Sequence, residues 1–382
     1  MHFTLHLTTG CMMNCDYCYS PPVRQMDMTE EICRLTVKFI LAARPGNTGI
    51  VFYGGEPLLR KDMIYLFTSL LRNAEMESGH RFHFRITTNG LRLDEDFLDY
   101  ADMHGIAVAL SIDGVKEAHD RHRRTAAGEG TFDTVNKKID MLLGRQPYAQ
   151  AMVVVTPETL QYYCESIAFL FHRGFRYVIV ALDYAWKWEE RHLELLREQY
   201  ELLALLYKNL TLGEKKFYFS PFEIKIASHI HSGGVICERC HGGEKQVSVA
   251  PDGSLYPCVA FVQDCHKTSR FRIGDIRNGF DDEKRQHLYQ LSQSLKAPCT
   301  ECEMRDRCNN RCSCTNWQTA GAVDRVSPVL CETERILFPI ADSLAESLYQ
   351  SRAPMFIQKH YNPAYPVISL LEDAQLLNPV GR

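Results

Sequence analysis

Residues 2–18 read HFTLHLTTGCMMNCDYC, a short apolar segment followed at once by three cysteines within eight residues. Phe3–Thr8 predicts a buried β-strand, and the glycine-containing segment after it predicts a loop. Cys11, Cys15 and Cys18 therefore lie at the carboxyl end of a first strand. Three thiolates leave one position of a metal site open, because a closed site takes four protein ligands. From spacing alone, a zinc site completed by a histidine is the alternative.

The alternation of short apolar segments with amphipathic ones continues to about residue 212. Further strands are expected at Gly49–Tyr53, His83–Thr87, Ala107–Ile112, Ala151–Val155 and Tyr177–Leu182. Helices are expected at Thr29–Ala43, Asp62–Met76, Asp94–Met103, Thr131–Leu143, Thr159–Arg173 and Glu189–Lys208. Such units predict an α/β fold with parallel strands and right-handed crossovers. Six of them make a partial TIM-like (β/α)6 barrel or a wound open sheet, and in both, ligands bind at the carboxyl ends of the strands.

Polar segments follow the second and third predicted strands at that edge. They contain Gly54, Gly55, Glu56 and Pro57 after the second strand, and Thr88 and Asn89 after the third. Glycine allows close approach of backbone to a ligand, and the carboxylate of Glu56 offers acceptors to an ammonium group. A simple turn explains a Gly-Gly-Glu-Pro segment equally well when it is taken alone.

Four further residues around the predicted strand ends complete a candidate cofactor site. Ser111 and Asp113 end the fourth strand, where they are placed to hold ribose hydroxyls. Tyr17 precedes the third cysteine and offers an aromatic face to a purine. Arg123, or its neighbour Arg124, offers a bidentate partner for a carboxylate. Each feature is weak by itself, and their coincidence at consecutive strand ends indicates one ligand.

Composition limits the class of protein. The chain has 382 residues, 45% apolar and 24% charged, with a formal charge of −4, which is typical of a globular protein without a general affinity for nucleic acid or anionic membranes. The N-terminus lacks a signal-peptide pattern and no apolar segment is long enough to span a membrane, so a cytoplasmic location is expected. In a reducing compartment the 15 cysteines stay free to bind metal. Cys33 and Cys164 lie in helical patterns and are expected to pack in the core.

From about residue 215 the helical periodicity fades and cysteines recur every few residues. A hairpin is expected at Gln246–Pro257 around an Asp252-Gly253 turn. So few apolar residues build little core, and metal ligation is expected to hold the segment together. We therefore expect three parts: a barrel at 1–214, a cysteine-rich domain with short hairpins and helices at 215–335, and a C-terminal helix with an extended tail at 336–382.

The N-terminal motifs resemble those of the radical S-adenosylmethionine (SAM) superfamily. The likeness lies in Cys11-x3-Cys15-x2-Cys18, then Gly54–Pro57, Thr88–Gly90, Ser111–Gly114 and Arg123, and covers residues 1 to about 185. The resemblance implies a 4Fe–4S cluster on the three cysteines whose open iron is chelated by SAM. It also implies reductive cleavage of SAM to a 5′-deoxyadenosyl radical that abstracts a hydrogen from the substrate.

The later cysteines resemble the auxiliary-cluster extension called SPASM, found behind radical SAM barrels that act on peptides and proteins. The resemblance implies two further 4Fe–4S clusters, making three in all. Its pattern gives the first cluster Cys237, Cys240, Cys258 and Cys312, and the second Cys299, Cys302, Cys308 and Cys331. Cys265 and Cys314 are then spare. Full thiolate ligation favours electron relay over substrate binding.

Two departures from the family narrow the expected function. Sulfatase-maturing members carry an aspartate base directly after the second auxiliary cysteine, where this chain has Val259, with Asp264 as the nearest acid. This argues against formylglycine formation and favours a thioether or carbon–carbon crosslink in a ribosomal peptide. The first strand begins at residue 3, so leader recognition is assigned to a separate protein, the barrel face or the tail.

The expected partners are a peptide or protein substrate and a reducing protein such as flavodoxin or ferredoxin. Two other enzymatic interpretations remain: a maturase of a protein side chain, or of a small molecule such as a tetrapyrrole. A non-catalytic multi-cluster electron carrier is the alternative from a different class, and it leaves Gly54–Pro57 and the open three-cysteine site unexplained. The residue that acts as base or radical relay is not identified by sequence.

Overall fold

The computed structural model describes residues 1–19, 25–42, 46–231, 240–262 and 269–377. Contacts divide the chain into two compact units, each taken separately below. The first comprises Met1–Ser111, His122–Lys138 and Cys240–Ser294, and the second comprises Ile112–Arg121, Ile139–Arg239 and Leu295–Arg382.

The described residues form eleven strands and fourteen α-helices. The strands are β1 His2–His6, β2 Asn47–Tyr53, β3 Arg81–Thr88, β4 Ile106–Ser111, β5 Gln150–Val155, β6 Tyr177–Leu182, β7 Tyr218–Phe219, β8 Gln246–Val249, β9 Ser254–Tyr256, β10 Gly274–Asp275 and β11 Gly279–Phe280. The helices are α1 Glu30–Leu41, α2 Lys61–Ser78, α3 Glu95–His104, α4 Lys116–His122, α5 Phe132–Asn136, α6 Ile139–Arg145, α7 Tyr163–His172, α8 Glu190–Leu212, α9 Ser220–Ile230, α10 Asp282–Gln293, α11 Ser313–Ala320, α12 Pro328–Gln350, α13 Pro354–Tyr361 and α14 Tyr365–Leu377. None of these helices is both long and apolar enough to cross a membrane.

The first unit is built on a sheet ordered β11-β10-β9-β8-β1-β2-β3-β4. Neighbours from β8 to β4 are parallel, whereas β8 to β11 pair antiparallel, beginning with the expected hairpin around Asp252-Gly253. Along β3 the apolar residues Phe82, Phe84 and Ile86 alternate with exposed polar ones, so one face packs in the core. The core side includes Phe52 stacked on Phe84 with centroids 5.9 Å apart.

The second unit contains the parallel strands β5, β6 and β7. Helix α12 packs along α8 and α9, and its buried face includes Leu330, Leu337 and Leu344. Its interior proline, Pro339, removes one backbone donor without ending the helix.

The C-terminal segment differs from the extended tail expected after residue 353. It forms α13 and α14, and Asp373 of α14 makes polar contacts with residues outside the helix. The carboxylate of Asp373 accepts hydrogen bonds from Arg176 at 3.0 Å, Tyr177 at 2.8 Å and Lys216 at 2.8 Å. Among the side chains described in residues 365–373, the apolar Val367, Ile368, Leu370 and Leu371 are exposed, so this part of α14 has no apolar face turned to the core.

The six predicted strands of the barrel region all occur, with ends shifted by up to two residues. The predicted helix Thr131–Leu143 is two helices, α5 and α6, separated by two residues. Helices α4, α9 and α10 were not predicted, because each is short or has a weak apolar period. The three domain boundaries drawn from sequence stay a prediction.

We predict that Asp373→Ala frees α14 from the second unit. The variant leaves the cations of Arg176 and Lys216 without their shared anion. At this partly buried site, we expect the free energy that holds α14 against the rest of the unit to fall by roughly 1–2 kcal/mol. Hydrogen exchange of the amides in 365–373 should accelerate roughly tenfold or more. The matched control Glu372→Ala, whose half-exposed side chain lies 3.5 Å from Lys216, should leave that exchange unchanged. Equal exchange in both variants would contradict the anchoring role.

Candidate functional site

The loop that carries the three cysteines is packed directly against the end of β2. Gly55 donates its N–H to the carbonyl of Thr8 at 2.9 Å, and Glu56 donates its N–H to the carbonyl of Gly10 at 2.8 Å. A Cβ atom on Gly54 would lie 2.3 Å from the Thr8 carbonyl oxygen, and one on Gly55 would lie 2.2 Å from that of Gly10. Gly54 also has φ +140°, which favours glycine. In this structure the two glycines let the cysteine loop lie against the strand end.

The side chain of Glu56 joins the ends of β2 and β3. Its carboxylate is fully buried and accepts hydrogen bonds from Thr88 Oγ1 at 2.7 Å, Asn89 N at 2.7 Å and Leu58 N at 3.0 Å. Burial raises the pKa of Glu56 to about 7, against the lowering effect of these donors. A carboxylate has about four acceptor positions, so one remains for the ammonium group expected from sequence. Pro57 is buried beside it and begins a short 3-10 helix.

Asn89 connects this carboxylate to the first cysteine. Its backbone N–H bonds Glu56, while its side-chain amide donates to Cys11 Sγ at 3.5 Å. The backbone N–H of Met13 donates to the same sulfur at 3.4 Å. Burial raises the pKa of the Cys11 thiol, and these two donors oppose that effect by favouring the thiolate. The structure thus brings Cys11, Glu56, Thr88 and Asn89 into one connected site.

Residues 122–125 run beside the cysteine loop. Asn14 donates its N–H to the Arg124 carbonyl at 2.7 Å, which aligns this segment with the loop. The Tyr17 ring lies 5.1 Å from the His122 ring and 5.4 Å from the Arg123 guanidinium. Arg123 is 7% exposed, so its charge is held in place near the loop. Tyr17 and Arg123 therefore lie together, as expected for one site, with an aromatic–cation contact between them.

Ser111 and Asp113 follow β4. Ser111 is half-buried and belongs to the first unit. Asp113 is almost fully buried in the second unit, where its carboxylate accepts from the N–H of Val154 at 2.9 Å. That bond fixes the segment after β4 to β5. It gives Asp113 a structural role in addition to the ribose contact expected from sequence.

A pair of tyrosines beside the cysteine loop was not identified by sequence. The hydroxyls of Tyr19 and Tyr53 hydrogen-bond each other. Negative charge on Cys18 or Cys258 would raise the pKa of both phenols. Burial raises the pKa of both tyrosines. The Tyr53 ring lies 5.3 Å from that of His6, whose buried Nε2 has no hydrogen-bond partner among the described residues. The available signal was the position of each tyrosine, one directly after a cysteine and one directly before the double glycine.

The first predicted auxiliary set is only partly described. Cys237 lies outside the described residues, as do Cys265 and Asp264. Cys240 and Cys258 are half-buried in the first unit, and a Cβ atom on Gly242 would lie 3.4 Å from Cys240 Sγ and 3.0 Å from the Pro257 carbonyl. Val259 begins a short 3-10 helix directly after Cys258. Position 259 therefore offers no acid or base.

The second predicted auxiliary set surrounds one cavity in the second unit. Cys299, Cys302, Cys308 and Cys331 all line it, together with Asn310 and Glu334. Burial raises the pKa of Cys299, Cys308 and Cys331 thiols, and thiolate ligation by metal would offset that. In the same unit, Cys312 Sγ lies 3.4 Å from the spare Cys314 Sγ.

The donor sets fit the groups expected from sequence. Cys11, Cys15 and Cys18 supply three thiols on one loop, which suits a cluster with one open iron. Four thiols around one cavity suit a fully ligated cluster. Cys33 is fully buried in α1 and Cys164 is half-buried in α7, in agreement with the core packing expected for Cys33.

Comparison with known proteins supports this interpretation of the N-terminal motifs. Residues 5–170 match the Radical SAM superfamily. The chain is 22% identical over 325 residues to a cysteine-type anaerobic sulfatase-maturating enzyme of Clostridium perfringens (strain 13 / Type A), covering 80% of this chain and 86% of the relative. It is 25% identical over 321 residues to a serine-type anaerobic sulfatase-maturating enzyme of Klebsiella aerogenes, covering 79% and 77%.

Solved structures show the same fold. Native anSMEcpe with bound AdoMet and Cp18Cys peptide superposes with TM-score 0.75 at 20% identity, over 91% of this chain and 98% of the other. Streptococcus suis SuiB bound to precursor peptide SuiA superposes with TM-score 0.56 at 16% identity, over 86% and 75%. The predicted fold class, a partial parallel barrel followed by a region of short strands and helices, is confirmed.

We predict that Gly55→Ala abolishes metal binding by the cysteine loop. The added methyl group would clash with the Gly10 carbonyl, so the loop must move away from β2 and from Asn89. Reconstituted with iron and sulfide, the variant should lose the iron bound by the N-terminal site. Gly144→Ala is the control, because nothing lies within 4 Å of the added atom. A Gly55→Ala protein with undiminished iron would show that close packing of the loop is unnecessary.

Proposed function

We propose that the protein is an enzyme that cleaves SAM reductively and oxidises a peptide substrate, in keeping with the match of residues 5–170 to the Radical SAM superfamily. The observation that carries the proposal is the connection from Cys11 through Asn89 to Glu56. Because of it, the loop of the three thiols proposed as ligands lies next to a buried carboxylate, which supports a common cofactor site. When bound, the cluster and SAM supply an electron and a 5′-deoxyadenosyl radical that abstracts a hydrogen from substrate.

The residues of the chain hold and orient the cofactor in this proposal. The remaining acceptor position of Glu56 binds the ammonium group of SAM, and Arg123 offers its guanidinium to the carboxylate. Tyr17 and Ser111 border the adenosine, with Thr88 and Asn89 fixing the carboxylate of Glu56. Gly54 and Gly55 keep the cysteine loop against the strand end and, with Pro57, belong to the segment proposed to bind SAM.

A peptide is the proposed substrate class because the similar proteins act on, or bind, peptides. Two of them are sulfatase-maturating enzymes, and two solved relatives are described with a peptide or a precursor peptide bound. The proposed product is an intrapeptide thioether or carbon–carbon crosslink, since Val259 offers no base for formylglycine formation. A reducing protein such as flavodoxin or ferredoxin supplies the first electron.

Mass spectrometry of the product tests the substrate class and bond. The substrates to use are synthetic cysteine-containing peptides, including the Cp18Cys peptide bound in a similar solved structure, incubated anaerobically with SAM and dithionite. A crosslink removes two hydrogens and, if it is a thioether, consumes the cysteine thiol while retaining sulfur. Conversion of cysteine to formylglycine instead expels the sulfur, and that outcome would overturn the proposed product while leaving the radical chemistry standing.

We predict about 12 iron atoms per reconstituted chain, because three four-iron clusters are proposed. Combined replacement of Cys11, Cys15 and Cys18 by alanine should leave about 8 iron atoms and abolish release of 5′-deoxyadenosine. The control Cys164→Ala should retain both the iron and the activity, because this cysteine lies on α7 outside the proposed ligand sets. Unchanged iron in the triple variant would place the SAM-binding cluster elsewhere.

We predict that Cys302→Ala separates SAM cleavage from peptide modification. The N-terminal site should still release 5′-deoxyadenosine, but the substrate radical would lack the acceptor that removes its electron. The ratio of modified peptide to 5′-deoxyadenosine should therefore fall at least tenfold, with Cys164→Ala on α7 as the control for a cysteine outside the proposed ligand sets. Circular dichroism and soluble yield identify simple misfolding. A well-folded Cys302→Ala protein with normal coupling would show that this cluster is not an obligatory acceptor.

A further inference from the structure

The cavity lined by Cys299, Cys302, Cys308 and Cys331 also contains an acidic side chain. Glu334 lies on α12 one turn after Cys331, lines the same cavity and has a side chain only 6% exposed. A cluster held by four thiolates is itself anionic, and a second buried negative charge beside it would be strongly unfavourable at low local dielectric. An ionised Glu334 is therefore stabilised by a nearby buried cation; Arg305 and Arg335 also line the cavity, but their side chains are 43% and 57% exposed.

That cation is Lys225 on α9. Its ammonium nitrogen lies 2.5 Å from Glu334 Oε2, and its side chain is 4% exposed. The same nitrogen lies 3.4 Å from the Arg307 carbonyl and 4.5 Å from the centroid of the Phe338 ring. Arg307 precedes the ligand Cys308 in sequence. These contacts fix the lysine charge beside the backbone that carries a proposed ligand.

Both charges of the pair act on the cysteine site. Glu334 lines the cysteine cavity, and the Lys225 ammonium paired with it also donates to the carbonyl of Arg307, the residue before Cys308. Charges at these positions alter the energy of an electron added to a cluster held there. The reduction potential of an iron–sulfur cluster depends on such nearby charge and on exposure to solvent.

A second buried ion pair involving α9 provides a control. Breaking it tests the structural effect of losing a buried pair without changing the charge beside the cysteines. Glu223, two residues before Lys225, pairs with Lys359, whose side chain is 10% exposed and whose ammonium also donates to the Phe217 carbonyl at 2.7 Å. Neither residue lines the cysteine cavity. The two pairs are thus alike in burial and chemistry, and only one borders the cysteines.

We propose that the Lys225–Glu334 pair sets the reduction potential of the cluster held by Cys299, Cys302, Cys308 and Cys331. This inference rests on the proposed function, which assigns a 4Fe–4S cluster to those ligands. Lys225 stabilises the reduced cluster and Glu334 destabilises it, so the pair holds the potential between the values that either charge alone would give. Lys225 and Glu334 are positioning residues in this role, because neither supplies a ligand.

The test is a redox titration of the reconstituted full-length protein followed by electron paramagnetic resonance. The signal of this cluster is the one that Cys302→Ala removes. Glu334→Gln, which leaves the lysine charge unopposed, should raise the midpoint potential, and Lys225→Met should lower it. Each should change the ratio of reduced to oxidised cluster at least tenfold at fixed potential, about 59 mV for a one-electron couple.

The controls separate charge from structure. Lys225→Arg retains the charge, and Lys359→Met breaks the other buried pair, so both should leave the potential close to that of the wild type. The proposal would be overturned if Lys225→Met and Lys225→Arg shifted the potential equally, or if Lys225→Met and Glu334→Gln shifted it in the same direction. A shift in Lys359→Met as large as that in Lys225→Met would also overturn it. A wild-type protein with no iron at this site would instead refute the proposed function, independently of any shift.

Discussion

The buried carboxylate of Glu56 is the interaction on which the N-terminal site depends. Its backbone is bonded to the cysteine loop at Gly10, while its side chain binds Thr88 and Asn89 at the end of β3. Hydrogen bonds to a charged group stabilise a folded protein more than bonds between neutral groups, typically by about 1.5–3 kcal/mol each. Here they offset part of the free-energy cost of burying the carboxylate charge. Burial still raises the pKa of Glu56 to about 7. A cationic ligand at the free acceptor position would favour the ionised form, so cofactor binding and the order of the strand ends stabilise each other.

The cysteine cavity of the second unit uses a helical scaffold instead of strand ends. Cys331 and Glu334 are one turn apart on α12, which packs on α8 and α9, and α9 presents Lys225 to Glu334. Cys299, one of the proposed ligands, also packs in an apolar cluster with Val326 and Leu330, which helps to fix its position. The loop segment 299–312 thus gains order from a helix that is stable through its own core contacts. This explains how a segment with few apolar residues holds three proposed ligands, Cys299, Cys302 and Cys308, near the fourth, Cys331 on α12.

Much of the fold was predictable because the barrel region follows local rules. Period-two and helical patterns located β1 to β6 and the main helices, and the cysteine spacing indicated the candidate metal sites. The functions of single side chains were harder to predict, because they depend on contacts between residues far apart in sequence. Asn89 reaches Cys11 across 78 positions, and Lys225 reaches Glu334 across 109. The helix α14 was missed for a different reason: its anchoring residue Asp373 is polar, so its sequence lacks the usual core-facing period.

The groups around Cys18 and Cys258 bear on which peptide residue the proposed oxidation would use. Oxidation of a peptide side chain must release a proton as well as an electron, and Val259 accepts none. Burial raises the pKa of Tyr53 and lowers that of His6 to about 3, so the phenol stays protonated and the imidazole is a weak base. A substrate that releases its own proton readily suits such surroundings better than one that needs a strong base. A cysteine thiol, with an ordinary pKa of about 8.5, releases its proton more easily than a serine hydroxyl or a carbon–hydrogen bond. This chemistry favours a cysteine over a serine as the residue that is oxidised.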